Sequence, residues 1–150
     1  MSLNRAQLKA DVMAFGRDGR AILLVEIKTG HARIESAKVQ IIRYLQAAHD
    51  VIPFAMLVTS RQIHIFKWDG QHLSEPAFQL DTSSVLSVYD AEYSEKDGFE
   101  YYMAALVEAW LRDAAYHWKS DNPPGFAMLE EIGIVRELQG GSTRTESPIE

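Results

Sequence analysis

The 150-residue chain is 47% hydrophobic and 24% charged, which is ordinary for one globular domain with a sizeable core. It has no cysteine, and its five histidines show no zinc-ligand spacing, so disulfide frameworks and structural zinc sites are excluded. No apolar run approaches the roughly 20 residues that cross a bilayer, and no signal-peptide pattern opens the chain. We therefore expect a cytoplasmic protein with no membrane partner.

Two runs rich in apolar residues, 8–15 and 21–28, are predicted to form a β-hairpin. The dipeptide Asp18-Gly19 between them favours a two-residue type I′ turn, because both residue types tolerate positive φ. Such a turn places the two flanking arginines opposite each other. An extra residue in the loop would shift the register by one position and turn every side chain to the other face.

This hairpin register brings three charged side chains together on one face of the sheet. Opposed residues in an antiparallel ladder keep a constant sum of residue numbers, so Asp11 lies opposite Glu26 when the arginines are opposed. Lys28 emerges on the same face, while Ile27 points to the other layer. Opposed carboxylates destabilise a sheet, and a divalent cation removes that fault. Asp11 and Glu26 are thus candidate Mg²⁺ ligands at a site that cuts phosphodiesters, and Lys28 is its candidate catalytic lysine.

A helix over residues 33–48 follows and places Gln40 and Tyr44 four residues apart on one face. Strands over 54–59 and 62–68, joined by a tight turn, complete a mixed sheet of about four strands flanked by helices. The expected class is α/β. His64, on the last of these strands, is interpreted as a packed neutral residue outside the site.

The C-terminal half is predicted to be mainly helical. Residues 81–89 suit either a short helix or a strand, and residues 95–119 predict a long amphipathic helix capped by Ser94. Its apolar stripe consists of Phe99, Met103, Leu106, Trp110 and Ala114. Such a stripe is normally core, and apolar surface left over on this helix is a candidate homodimer interface.

The domain organisation predicted from these elements is a single nuclease-like domain over residues 1–139, followed by a flexible polar tail over 140–150. Charge is distributed unevenly within it. Residues 1–45 hold eight basic and four acidic side chains, a net charge of +4, whereas the whole chain has −6. The basic part contains the charged hairpin, where a phosphate backbone would have to lie.

The motifs of residues 8–68 resemble the PD-(D/E)XK nuclease superfamily, and within it the N-terminal nuclease domains of type I restriction subunits. The matching segments are Ala10-Asp11, Val25-Glu26-Ile27-Lys28 and Gln40-Ile41-Ile42-Arg43-Tyr44. The resemblance implies a restriction-endonuclease-like core, Mg²⁺ (or Mn²⁺) held by Asp11, Glu26 and the backbone carbonyl of Ile27, and attack by water assisted by Lys28. It also implies that Gln40 is an auxiliary site residue.

Two departures from the family pattern leave the activity open. Ala10 stands where the motif has proline, and residues 1–9 contain no acid where relatives have a helix that contributes one. The leading hypothesis is a Mg²⁺-dependent nuclease acting on DNA, within a restriction or defence assembly. The alternatives are an inactive nuclease-like domain that binds nucleic acid or protein, and a structural dimer in which the C-terminal helix carries the function.

Overall fold

The computed structural model describes residues 10–30, 33–93 and 100–145 of the chain. Its strands are β1 (Val12–Phe15), β2 (Ala21–Lys28), β3 (Phe54–Thr59), β4 (Gln62–Lys67), β5 (Phe78–Asp81) and β6 (Ser142–Thr145). Its helices are α1 (Ile34–Ala47), α2 (Thr82–Leu86), α3 (Glu100–Tyr116), α4 (Phe126–Ile132) and α5 (Ile134–Leu138).

One mixed sheet contains the six strands of the described residues, in the order β5-β4-β3-β2-β1-β6. β2 and β3 are parallel, and α1 forms the crossover between them. The other neighbouring strands are antiparallel. The α/β class and the opening hairpin are confirmed. The prediction of about four strands is wrong, because β5 and β6 extend the sheet at its two edges.

β6 lies within the stretch that the sequence predicts as a polar tail. Its four residues pair antiparallel with those of β1. The hydroxyls of Thr143 and Thr145 donate to the carboxylate of Glu108 on α3. Backbone pairing and side-chain hydrogen bonds hold this strand. Neither interaction requires alternating apolar residues, which are the sequence pattern by which a strand is predicted.

The loop of the β1–β2 hairpin differs from the predicted two-residue turn. The N–H of Gly19 donates to the carbonyl of Gly16 at 3.0 Å, and the N–H of Gly16 donates to the carbonyl of Arg20 at 2.8 Å. Gly19 has φ 84°, whereas Asp18 is not among the residues with positive φ. The loop is therefore a type I turn followed by a glycine bulge, and Arg17 does not oppose Arg20.

A second irregularity restores the register that the site needs. Phe15 pairs with Ala21, but between Ala14 and Phe15 the register shifts, and Ala14 pairs with Leu23. The extra residue on β2 compensates for the changed loop. The register beyond the bulge is the predicted one, even though the turn is not.

Helices cover both faces of the sheet. α1 lies on one face, over a core formed mainly by Met13, Leu24, Ile41, Leu45, Ala55, Leu57, Phe66 and Trp68. The other four helices lie on the opposite face, over a larger core that includes Val25, Ile27, Met56, Val58, Ile63, Ile65, Trp110 and Leu129. The predicted helix over 33–48 is thus α1, and it closes the face that carries Glu26.

The predicted C-terminal helix corresponds to α3, which begins at the first described residue after the gap at 94–99. The expected Ser94 cap and Phe99 lie outside the described residues. Met103, Leu106, Trp110 and Ala114, the rest of the predicted stripe, are buried within this chain. Tyr101 remains 73% exposed. No helix in the described part of the chain combines the length and the apolar character of a membrane span.

Within the ambiguous stretch 81–89, residues Thr82–Leu86 form a helix, whereas Asp81 ends β5. The carboxylate of Asp81 accepts hydrogen bonds from the N–H and the hydroxyl of Ser84, and so caps α2. Thr82, fully buried, donates its hydroxyl to the carbonyl of Thr59. These bonds fix α2 beside the turn between β3 and β4.

Candidate active site

The carboxylates of Asp11 and Glu26 meet where β1 begins and β2 approaches its end. Val12 pairs with Val25, and the N–H of Asp11 donates to the carbonyl of Val25 at 3.0 Å. Asp11 directly precedes the first residue of this register, and its side chain reaches that of Glu26, with which it forms a hydrogen bond. Its Oδ2 accepts a hydrogen bond of 2.6 Å from the N–H of Ile27, which holds the side chain against β2.

Burial and the facing carboxylate strongly perturb Glu26. Glu26 is only 9% exposed. Burial, followed by a hydrogen bond to Asp11 and by the charge of Asp11, raises its pKa from the ordinary 4.5 to about 8. The charge of Lys28 acts in the opposite direction, and that of Glu100 in the same direction but less strongly. Without a cation, Glu26 therefore largely keeps its proton near neutral pH.

Lys28 lies on the same face as Glu26, two residues further along β2. Its Nζ is 3.9 Å from Oε1 of Glu26, and its side chain is 28% exposed. The lysine can therefore reach both the carboxylates and solvent. The predicted grouping of Asp11, Glu26 and Lys28 is present, with an ammonium group beside a pair of acids.

The backbone of Ile27 faces the same spot. Its N–H donates to Asp11 on the β1 side of β2. In an antiparallel ladder the N–H and the carbonyl of one residue point to the same neighbouring strand. The Ile27 carbonyl thus projects toward the side of Asp11, which is the position expected of the third predicted ligand.

The N-terminal half of the chain matches a known family. The model of the type I restriction enzyme R protein N terminus (HSDR_N) matches residues 1–78. The chain belongs to this family. The matched segment contains β1, β2, α1, β3 and β4, and with them every residue of the candidate site. No curated protein and no solved structure matches the chain.

Gln40, the remaining site residue predicted for this R protein N-terminal domain, lies on α1 and is exposed. Among the described residues, no hydrogen bond or ion pair joins it to Asp11, Glu26 or Lys28. Tyr44, one turn later, is half-buried and packs against the core under α1. The structure therefore groups the acids and the lysine, and leaves Gln40 on the helix above them.

Two neighbours of the site were missed from the sequence. Glu100, at the start of α3, accepts hydrogen bonds of 3.4 Å from both the N–H and the hydroxyl of Thr29. Its place in the sequence, 71 residues after Thr29, gave no local signal. In the described part of the chain no three His, Asp or Glu side chains form a group that could hold a metal. The acid absent from residues 1–9 is thus not replaced by a complete acidic triad.

His64 is the second missed neighbour. Leu57 on β3 pairs with Glu26 on one side and with His64 on the other. All three side chains therefore lie on the α1 face of the sheet. His64 is only 5% exposed and its Nε2 has no hydrogen-bond partner among the described residues. The prediction of a packed histidine is correct as to burial, but its polar atom is not satisfied.

Proposed function

We propose that this domain is a Mg²⁺-dependent nuclease of restriction-endonuclease-like fold, which hydrolyses phosphodiester bonds of DNA as part of a type I restriction assembly. The observation that carries the proposal is the contact between the Asp11 and Glu26 carboxylates beside Lys28. Membership of the R protein N-terminal family supports the restriction context. The basic charge of residues 1–45 is consistent with a polyanionic substrate.

The donor set fits a small divalent cation. Mg²⁺ takes oxygen ligands and usually one or two carboxylates, with water and substrate phosphate at the remaining positions. Asp11, Glu26 and the Ile27 carbonyl would supply such oxygens. A pKa of about 8 at Glu26 indicates that its charged form is unfavourable beside Asp11 without a nearby positive charge, and a cation would replace the proton on Glu26.

When bound, the cation would polarise a phosphoryl oxygen and lower the pKa of a coordinated water. The protein's own residues provide the rest. The Ile27 N–H fixes the orientation of Asp11, so that one carboxylate oxygen remains for a ligand. Lys28, 3.9 Å from Glu26, can orient the attacking water or neutralise charge that develops on the phosphate. Gln40 would contact DNA or Lys28 from above.

The test is cleavage of supercoiled plasmid DNA with Mg²⁺ or Mn²⁺, for the wild type, Asp11→Asn and Lys28→Ala. Removing one electrostatic contributor of this kind costs about 100-fold or more in rate. Asp50→Asn and Lys67→Ala are matched controls, because both residues are exposed and lie outside the site. The controls should cut like the wild type.

Cleavage by Lys28→Ala at the wild-type rate would show that the catalytic assignment is wrong. A wild-type domain that binds DNA but does not cut it with either cation would instead establish the inactive binding module. Cleavage in EDTA, without added metal, would show that the assignment of Asp11 and Glu26 as metal ligands is wrong. The thermal midpoint of each sample is measured as well, so that a loss of activity can be distinguished from a loss of folding.

A further inference from the structure

A cavity of about 710 Å³ opens beside the candidate site, between the start of α1 and the β3–β4 turn. Gly30 and Ile34 line it from the α1 side, and Arg61 and His64 from the sheet. Thr59, also in its wall, pairs with Lys28 on the neighbouring strand. The cavity is thus continuous with the strand end that carries the catalytic lysine.

Among the residues described, a polar atom of the buried His64 side chain lacks a hydrogen-bond partner beside this cavity. His64 is only 5% exposed, and it lines this cavity. Its Nε2 has no hydrogen bond in the described part of the chain. Burial and then the charge of Lys38 lower its pKa, so the ring is neutral at physiological pH. A buried polar atom without a partner costs stability, and a bound ligand is one explanation for its presence.

The charges around the cavity fit a phosphate group. Arg33 begins α1 without a side-chain cap, so the first N–H groups of a 14-residue helix have no capping side chain. Arg61 has no ion pair among the residues that the structure describes. The acid in the wall, Asp81, has an oxygen engaged by Ser84 at the start of α2.

The turn that presents Arg61 is fixed. Thr59 Oγ1 accepts hydrogen bonds from the N–H groups of Arg61 and Gln62, at 3.2 and 3.0 Å. The N–H of Thr82 donates to the Arg61 carbonyl at 3.0 Å. The backbone of Arg61 is therefore held from both sides, so that binding a ligand would have to order only its side chain.

The distance to the catalytic carboxylates is short. Glu26 and His64 lie two strands apart at the same level of the sheet, which corresponds to about 10 Å.

Granted the nuclease function proposed above, we infer that this cavity binds a nucleotide of the substrate strand within about three positions of the scissile phosphate. Arg61 and the first turn of α1 hold its phosphate, and Nε2 of His64 hydrogen-bonds its sugar or base. The site gives the domain a contact with the substrate strand that neither the metal nor Lys28 provides.

The test is the affinity for a fluorescently labelled DNA duplex, measured by anisotropy over a range of salt concentrations with Ca²⁺ in place of Mg²⁺. Arg61→Ala should weaken binding about tenfold at low salt and reduce the slope of log affinity against log salt by about 1. Arg20→Ala is the matched control. Arg20 is exposed, pairs with Asp18 and lies at the opposite end of β2, so its loss should change affinity less than twofold.

His64→Phe separates binding from packing. Phenylalanine keeps a ring beside Phe66, against which His64 is stacked, but removes the unpartnered nitrogen. We expect affinity to fall about fivefold with an unchanged salt slope, while the thermal midpoint stays level or rises. A purely structural histidine would leave affinity unchanged.

Wild-type affinity in both Arg61→Ala and His64→Phe would overturn the inference, as would a wild-type domain that does not bind DNA. If His64→Phe fails to fold, the salt slope of Arg61→Ala decides alone. The nuclease proposal fails separately. If the wild-type domain binds DNA but never cuts it, and these variants bind DNA less tightly, the nucleotide site is supported and only the catalytic proposal is refuted.

Discussion

The carboxylate pair should make the metal-free protein less stable as the pH rises, and Glu26→Gln should remove that effect. In the folded protein the pKa of Glu26 is raised from 4.5 to about 8. A carboxyl group with a raised folded-state pKa contributes stability that is complete below its unfolded pKa and is lost as the pH rises through the folded one. The sensitive window is therefore pH 4.5 to 8.

The size of the effect follows from the same values. Each pKa unit corresponds to about 1.4 kcal/mol, so a rise of this extent gives about 3–5 kcal/mol between the two ends of the window. Glu26 is 9% exposed, so solvent screening reduces this little. Glutamine can donate to Asp11 as the protonated acid does, and it does not titrate.

The assay is urea unfolding of the wild type and Glu26→Gln at several pH values between 5 and 8, in EDTA. Glu131→Gln, a change at an exposed acid on α4, controls for the loss of one carboxyl. Glu26→Gln should be the most stable of the three at pH 8 and lose its advantage at pH 5. Parallel pH profiles for the wild type and Glu26→Gln would refute the raised pKa of Glu26.

Three other measurements test different parts of the structure. Mn²⁺ should raise the thermal midpoint of the wild type more at pH 8 than at pH 6, because it competes with the proton on Glu26. It should not raise the midpoint of Asp11→Asn, and equal shifts in the two proteins would contradict the metal site. Asp113→Ala should cost about 3 kcal/mol in urea unfolding and Asp113→Asn less, because this buried carboxylate accepts hydrogen bonds from Tyr89, Lys119 and Ser120. Glu108→Ala should cost about 1–2 kcal/mol and speed hydrogen exchange in β6, whose threonines it anchors; unchanged exchange would show that backbone pairing alone holds β6.

The hairpin shows how far a sequence argument about register can reach. The type I′ turn predicted at Asp18-Gly19 is wrong, and by itself the observed loop would turn Asp11 to the other face. The bulge after Ala14 compensates. Val12, Ala14 and Val25 lie in the larger core, so the preference of the apolar residues for the interior, rather than the turn, sets the register.

The edges of the sheet were less predictable for the opposite reason. β6 is Ser-Thr-Arg-Thr, and its position depends on hydrogen bonds to a helix more than 30 residues earlier. β5 has only half-buried apolar residues. β5 does alternate half-buried apolar and exposed polar residues, but over only four positions, and no position of β5 or β6 is fully buried. Central strands such as β3, buried on both sides, were predicted with their observed bounds.

The residues of the candidate site also divide into those that the sequence predicts and those that it does not. Asp11, Glu26 and Lys28 were predictable because strand alternation and hairpin pairing are local rules. The proximity of Glu100 and His64 depends on how α3 and β4 pack, which local spacing does not encode. His64 in particular was interpreted as a packed neutral residue outside the site, and only the three-dimensional arrangement reveals its unpartnered nitrogen.

At two positions on one face of this sheet, the structure buries a polar group in unfavourable surroundings. Glu26 faces another acid, and His64 faces a cavity; a sequence selected for stability alone would favour apolar residues at both positions. Both side chains flank Leu57, an ordinary core residue. Two unfavourable groups about 10 Å apart on one face are more readily explained by a single ligand that contacts both than by separate defects in packing. A nucleic-acid strand with a bound cation has the charge and the length to do so.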